Sequence, residues 1–538
     1  MPLARAARAL ILAAALVAAG TAHAADAGPG LRLPAPPATS GLPDLGLAAP
    51  VTVQRVRFEG ATAIATAELE ALAAPFLNRP LRALDLEDLR QTISRAYVDR
   101  GHVNSGAVLG DDALQGGTLT LRIVEGRVTR IRQSGLQRLT DAYLASRLVH
   151  GDEVLDVNRL QERFQLQLAD PLFSRLNARL LPDDGPGRAV LDVEVTRARP
   201  WQVSLLAHNH LAPAVGSVLA GIDGSVRNLL GWGDALTATL GRGEGSTSYD
   251  AGWQLPLGGS RTLASLRLAR GASSLVEEPV AVLDIGSVVT TREATLAHPL
   301  LDQPRRRWLL GVTHALRRNR TTLAGEPFSF VPGESTGVTR IESWRLFQEL
   351  TLRLDRHVIA LRASVVDGRN NLVGETPLPQ ALPRRYRLWQ LQGQAALALG
   401  DAGRQIVLRG LLQRSPDRLL PLEQLAVGGR HTVRGYRENQ LVRDNGWAVG
   451  AEWHWPLWRD EARRASLTLL PFIDAGAGWN AGEDETRLAA VGLGFNWTLA
   501  DLEGELHVAR RLERRHPDTH GDLQDRGIHL LLRWRPSF

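Results

Sequence analysis

The sequence predicts an all-β transmembrane barrel of about 16 antiparallel strands, preceded by two small α+β units. Three observations carry that prediction. The chain of 538 residues opens with a secretory leader. Residues 51–199 run through the same order of elements twice. All 13 tryptophans lie from Trp201 onward, in a region of alternating segments broken by Gly, Pro, Asp and Asn.

The leader comes first. Arg5 and Arg8 precede the apolar run ALILAAALVAAG, and AHA at residues 22–24 supplies the small-x-small pattern of a cleavage site, so residues 1–24 are expected to be a signal peptide. That run is too short to cross about 30 Å of hydrocarbon as a helix, and no later segment approaches the requirement. The mature chain is therefore either soluble beyond the inner membrane or embedded as a β-barrel. The absence of cysteine fits an exported protein without disulfides. The chain has no lysine, so its 63 cationic residues are all arginines, and they are spread along its length. An arginine preference explains the net charge of +6 better than a nucleic-acid surface does, and nucleic acid is not expected as a partner.

Residues 25–50 are rich in Pro, Gly and Ala and predict a periplasmic linker. In residues 51–127 a strand, VTVQRVRFEG, leads to a helix that places Leu86, Leu89, Ile93, Ala96 and Tyr97 on one face, with Asp85 as N-cap and Gly101 as the stop. Two strands follow. Residues 128–199 repeat the order: the strand VTRIRQSG, a helix near LTDAYLASRLV, a second helix through Val157, Leu160, Phe164 and Leu168, a strand through Leu176 and Leu180, and the strand AVLDVEV.

From residue 200 to 538 helical patterns vanish. In WAVGAEWHWPLW, Trp447, Val449, Ala451, Trp453 and Trp455 share one face while Ala448, Gly450, Glu452 and His454 share the other. ADLEGELHVA and the last segment, with Ile528, Leu530, Leu532, Trp534 and Phe538 opposite His529, Arg533 and Arg535, alternate in the same way. Segments of about 9–11 residues with tryptophans near their ends fit tilted transmembrane strands, one side toward lipid and the other toward water.

One stretch interrupts this rhythm. GGRHTVRGYREN, residues 428–439, sits in a connection of about 30 residues, long enough to suggest a task. Gly428, Gly429 and Gly435 let the backbone fold tightly around Arg434. Downstream, SLTLLPFIDAGAGWN alternates so that Thr468, Phe472, Asp474, Gly476 and Gly478 face the lumen. Arg434 and Asp474 are then candidates for a charge-assisted, bidentate contact in a partly desolvated interior. Two other features are decoys. GESTG at residues 333–337 would make Ser335 an esterase nucleophile, but the elbow needs a following helix and VTRIESWRLFQEL reads as a strand. His208 and His210 put two imidazoles on one strand face without a third ligand. No P-loop, paired-cysteine zinc pattern or dinucleotide fingerprint is present, so no cofactor and no enzymatic activity are expected.

VRGY at residues 433–436 and FIDAG at residues 472–476, in this order, resemble the loop and strand motifs of the TpsB family, the outer-membrane transporters of two-partner secretion (ShlB/FhaC/HecB-type), within the BamA superfamily. The two N-terminal repeats resemble POTRA domains, AYVDRGHVNSGAVL and LRIVEGRV being similar to the first of the TpsB pair. The resemblance implies a pore in the Gram-negative outer membrane whose POTRA domains recognise an unfolded, TpsA-like exoprotein in the periplasm. It further implies that Arg434 pairs with Asp474 and pins the sixth extracellular loop, with Val433, Gly435 and Tyr436 completing the loop motif and Phe472 and Gly476 the strand motif. Trp534 and Phe538 are read as the signal met by the barrel assembly machinery, and outer-membrane lipid as the barrel's surroundings. The alternative is an assembly factor of the BamA/TamA type. Members of the family begin with a plug helix, but residues 25–50 contain six prolines and no amphipathic period, so none is expected here.

Overall fold

The computed structural model describes residues 31–32, 50–372, 382–400, 402–513 and 521–537. The contacts divide the chain at Arg199/Pro200 into an N-terminal unit and a barrel. The expected signal peptide lies outside the described residues, as does most of the expected linker.

In the N-terminal unit the strand Arg55–Glu59 pairs in parallel with Thr118–Val124, which pairs antiparallel with Gly106–Gln115. Helices Thr66–Ala73 and Ala83–Asp99 close a core of Leu69, Leu86, Leu89, Ile93 and Tyr97 against Val56, Leu119 and Leu121. Asp85 is not the N-cap of the second helix: Arg82 holds that position, and Asp85, at N3, accepts from the Arg82 N–H at 2.7 Å. A carboxylate in the first turn serves either position, and sequence alone places it one turn too early. Burial alone would raise the Glu125 carboxyl, but the Ala63 N–H and the hydroxyl and N–H of Thr62 hold it below its ordinary range. That carboxylate fixes the turn before the first helix.

The second repeat has strand Arg127–Ser134, helices Asp141–Leu148 and Val157–Leu168, and strands Phe173–Pro182 and Arg188–Arg197 around Leu144, Leu160, Phe164, Leu176 and Leu191. Asp156 caps its second helix, accepting from the N–H groups of Asn158 and Arg159 at 2.9 and 3.3 Å. Leu31–Arg32, in the segment expected to be linker throughout, adds to this sheet in parallel beside Ala178–Arg179. A free sheet edge offers unpaired backbone groups to any passing extended chain, whatever its composition.

The barrel has sixteen spanning strands, as the alternation predicted. They are β1 (Trp201–His208), β2 (Leu219–Arg227), β3 (Ala235–Gly243), β4 (Ser246–Leu257), β5 (Thr262–Ser274) and β6 (Ile285–Asp302). Then come β7 (Arg306–Leu323), β8 (Val338–Leu354), β9 (His357–Asn370), β10 (Arg385–Leu399) and β11 (Arg404–Arg414). The last are β12 (Asn445–Asp460), β13 (Ala465–Trp479), β14 (Thr486–Leu499), β15 (Leu502–Arg511) and β16 (Ile528–Trp534). Each pairs antiparallel with the next, and β16 pairs with β1 to close the sheet. Closure pairs the strands with one another on both sides except along part of the β1–β16 seam, which meets the condition for crossing hydrocarbon with strands. Leu266, Leu268, Leu310, Leu346, Leu361 and Leu391 form part of an exposed apolar outer face. In β12 the alternation holds up to a bulge between Pro456 and Trp458, where a proline cannot donate to the ladder.

Candidate functional site

Residues 415–444 join β11 to β12 as the sixth loop on the side away from the chain's entry into the barrel. Leu425–Val427 and Leu441–Arg443 pair as a short antiparallel stem. Beyond the stem the chain tightens: the Gly429 N–H donates to Val433 O at 3.0 Å, and the Gly428 N–H to Thr432 Oγ1 at 2.8 Å. Val427, Val433, Tyr436 and Leu441 bury themselves against Phe472 of β13, Leu488 and Ala490 of β14, and Ala509 of β15. The loop is thus packed on the inner wall rather than extended into solvent.

Two glycines make that approach possible. Gly435 has φ +92°, and a Cβ there would lie 2.9 Å from the Ala509 Cβ. On the wall, a Cβ at Gly476 would lie 2.9 Å from both the Val433 and Val427 side chains. The Tyr436 hydroxyl sits 3.0 Å from Ala489 O and 2.9 Å from Glu513 O. Arg511 donates through Nε to Gly435 O at 2.6 Å.

Arg434 carries the charge. Its Nε donates to Asp474 Oδ2 at 2.7 Å and its Nη2 to Oδ1 at 2.9 Å, a fork-on-carboxylate contact, while its own backbone N–H donates to Oδ2 at 3.1 Å. Both side chains are 0% exposed. The guanidinium carbon lies 3.5 Å from the centroid of the Phe472 ring, which fills its flat face. Arg434 Nη1 also sits 2.7 Å from Glu452, and Arg409 of β11 lies 3.2 Å from Glu452 and 3.3 Å from Asp474. Two arginines and two carboxylates therefore balance in one buried quartet. Removing one member of such a set leaves an uncompensated charge, at a cost of about 3 kcal/mol. The quartet presents no nucleophile beside a base; what it does is fasten the loop tip to β13.

The loop has a second attachment on the far wall. Glu423, buried, pairs with Arg317 of β7, and Arg317 lies 3.4 Å from Glu293 of β6. Glu293 continues to Arg267 at 3.0 Å and Arg267 to Asp250 at 2.7 Å, so charges alternate across four neighbouring strands. Leu419 and Leu420 pack on Ile341, Val366, Tyr386 and Leu388 of the same wall. Gln413 Nε2 donates to Glu423 O and to Asp444 O, both at 3.0 Å, closing the base of the loop.

Of the residues singled out in the sequence, Arg434, Asp474, Val433, Gly435, Tyr436, Phe472 and Gly476 come together here. Trp534 ends β16 with its ring exposed on the outer face, away from this site. Phe538 lies outside the described residues. Ser335 occupies the exposed connection between β7 and β8, which enters β8 at Val338 with no helix. His208 and His210 do not share a strand face: β1 ends at His208, and the two rings stack 5.0 Å apart across the start of the loop. Sequence reasoning missed Glu452, Arg409, Arg317 and Glu423. Glu452 was legible as a lumen residue, because the alternation of β12 turns it inward. Nothing local marks Arg317 or Glu423, whose meeting depends on how the loop crosses the barrel.

Comparisons with known proteins place this geometry. Residues 51–126 match the POTRA domain, ShlB-type. The chain is 23% identical over 452 residues to the outer membrane transporter CdiB of Dickeya dadantii (strain 3937), covering 82% of this chain and 78% of that one. Among solved structures, CdiB from Escherichia coli superposes with a TM-score of 0.71 at 21% identity, covering 93% of this chain and 94% of that chain. BamA from Haemophilus ducreyi lacking POTRA domains 1–3 shares the fold more loosely, with a TM-score of 0.51 at 13% identity over 90% of this chain and 100% of that chain. Residues 187–497, more than half of the chain, match the haemolysin secretion/activation proteins. With a sixteen-stranded barrel, a ShlB-type POTRA domain and that match, the protein belongs to the ShlB/FhaC/HecB family of haemolysin secretion/activation proteins, transporters of the outer membrane.

Proposed function

We propose that this protein is the outer-membrane pore of a two-partner secretion pair. It takes an unfolded exoprotein at its POTRA units in the periplasm, passes it through the barrel and releases it at the cell surface, with folding outside rather than nucleotide hydrolysis giving direction. The edge strand Gly106–Gln115 offers backbone groups to an extended chain, a mode of capture that demands little of the cargo's sequence. The observation that carries the reading is the fully buried fork of Arg434 on Asp474, which holds the sixth loop against the inner wall where cargo must pass. In this reading Arg434 and Asp474 lock the loop, Gly435 and Tyr436 seat its tip, and Trp534 with Phe538 forms the signal met by the assembly machinery during biogenesis.

Secretion of the cognate exoprotein by Arg434→Ala, Asp474→Ala and the double variant tests the lock. Each single variant is expected to leave a folded, heat-modifiable barrel and to lower export about tenfold, equivalent to about 1.4 kcal/mol. The double variant is expected to be no worse than either single one. Normal export by both single variants would overturn the assignment.

A second reading, an assembly factor for other barrels, draws on one feature: β1 and β16 pair at four positions only. A short seam could open sideways toward lipid. The family match favours the secretion pore.

A further inference from the structure

The outer wall of β5 to β10 changes character along its height. Toward the membrane it is apolar, with Leu266, Leu268, Leu310, Leu346, Leu361 and Leu391 exposed. At the loop-bearing end, opposite the end where β1 begins, the same outward face turns cationic. Arg270 of β5 is level with Thr290 of β6, Thr290 with Arg318 of β7, and Arg318 with Arg340 of β8, so one row of the sheet crosses four strands with three exposed arginines. Arg320 stands two residues further along β7, Arg292 two residues beyond Thr290 along β6, and Arg385 opens β10; all three are exposed.

The acidic residues on this face are already engaged. Glu342 pairs with Arg369 at 2.6 Å and faces His314 at 3.1 Å, and Asp367 pairs with Arg387 at 3.0 Å. Among the described residues, none of the six arginines of the belt has an acidic partner. The rest of the wall differs. Its outward arginines near this end do not face one another across strands: Arg242 of β3 and Arg510 of β15 stand singly, Arg414 lies over the Trp479 ring at 4.3 Å, and Arg487 pairs with Glu485 at 3.5 Å. An arginine-only composition explains why the cations are arginines; it does not explain why unmatched ones gather on one arc.

Arg318 and Arg340 face each other directly across strands, an arrangement in which like charges repel. An anion between them removes that repulsion. Guanidinium forks match phosphate geometry, and they suit a site flanked by lipid because they are more weakly hydrated than ammonium groups. In an outer-membrane protein, the phosphorylated group found where the apolar band ends on the cell-surface side is the head of the outer-leaflet glycolipid. We infer that the arginine belt on β5 to β10 is a binding site for the phosphates of that glycolipid, seated on Arg318 and Arg340 with Arg270 and Arg320 alongside and its acyl chains running down the leucine face below.

The test uses the full chain purified from outer membranes in mild detergent, with native mass spectrometry reading bound lipid A. The probes are lipid A carrying both phosphates and the same lipid A after dephosphorylation. The variant Arg318→Gln/Arg320→Gln/Arg340→Gln is expected to retain about tenfold less phosphorylated lipid A than wild type, because three exposed charge contacts of ordinary strength sum to that. Arg487→Gln/Arg510→Gln, on β14 and β15 across the barrel, is expected to retain the wild-type amount. Dephosphorylated lipid A is expected to bind wild type about as weakly as the triple variant binds the phosphorylated form. Should the triple variant fail to fold, Arg340→Gln alone, with about a twofold loss, serves in its place. Equal retention by wild type and the belt variants overturns the proposal. So does equal binding of the dephosphorylated lipid, or a belt that holds the secreted exoprotein while lipid A retention stays unchanged.

Discussion

The barrel has two kinds of wall. Between β6 and β7 the ladder runs without a gap in the sheet from Ile285–Leu323 to Asp302–Arg307, with a single bulge near Pro299. Between β1 and β16 it covers four positions, Leu205–Trp534 to His208–Leu531. Above those four, one backbone bond remains, the Asn209 N–H to Leu530 O at 3.2 Å, and side chains supply the rest. Asn209 donates through Nδ2 to Ile528 O at 2.9 Å and accepts from the Leu530 N–H at 2.7 Å, so its amide stands in for a stretch of strand. The fully buried Gln524 donates to Asn209 O at 2.6 Å and to Leu211 O at 2.7 Å. The long wall is closed by backbone, which any sequence supplies; the seam adds to its few backbone pairs two particular amides, each of which one substitution removes. The sixth loop is tied to both. Its stem reaches the long wall through Glu423 on Arg317, and its tip reaches the seam through the Glu438 N–H on Gln524 Oε1 at 2.8 Å and Arg437 on Asp525 at 2.6 Å.

The sharpest way to break this contrast is to cut each tie in turn. Glu423→Ala leaves Arg317 buried with only Glu293 at 3.4 Å, and is expected to destabilise the barrel by about 3 kcal/mol. The urea midpoint of unfolding in detergent, read by heat-modifiability on gels, measures it; a loss under about 1 kcal/mol would mean that the long wall does not hold the loop. Gln524→Ala deprives Asn209 O, Leu211 O and the Glu438 N–H of their partner. Those are neutral groups at the edge of a water-lined interior, so the expected loss is smaller, about 1–2 kcal/mol. A Gln524→Ala cost exceeding that of Glu423→Ala would reverse the ranking of the two walls.

What the sequence disclosed follows the same division. Strand number and lumen orientation are periodic properties, and the alternation of WAVGAEWHWPLW and SLTLLPFIDAGAGWN turned Glu452 and Asp474 inward with no knowledge of the fold. The Arg434 motif was legible because its glycines bear a local cost that only a tight turn justifies. Glu423 and Arg317 were not, since a glutamate in PLEQL and an arginine in LRRNR have no periodic signature, and 106 residues separate them. Asn209 and Gln524 were hidden for the same reason, with 315 residues between them. Asn209 was even masked by its neighbours, because the two flanking histidines invite a metal reading that the end of β1 at His208 removes. Asp85 shows the limit at short range: a first-turn carboxylate is easy to see, but its cap position depends on where Arg82 leaves the helix.

The smallest expected effect decides between the two readings of the seam. Ala207 of β1 and Leu532 of β16 are paired directly and both face outward, and antiparallel partners lie about 4.5–5.5 Å apart between Cα atoms, within the range a disulfide spans. The chain has no cysteine of its own, so an Ala207→Cys/Leu532→Cys pair has no competing thiol. If cargo travels through the lumen past the Arg434 quartet, sealing the seam with an oxidant should leave export within about twofold of the reduced form, a change of about 0.4 kcal/mol. If the barrel works by opening toward lipid, the same bond should stop it, and reduction should restore it. The reduced and oxidised states of one protein thus serve as their own control: folding, abundance and loop contacts are held constant, and only the freedom of four backbone pairs changes.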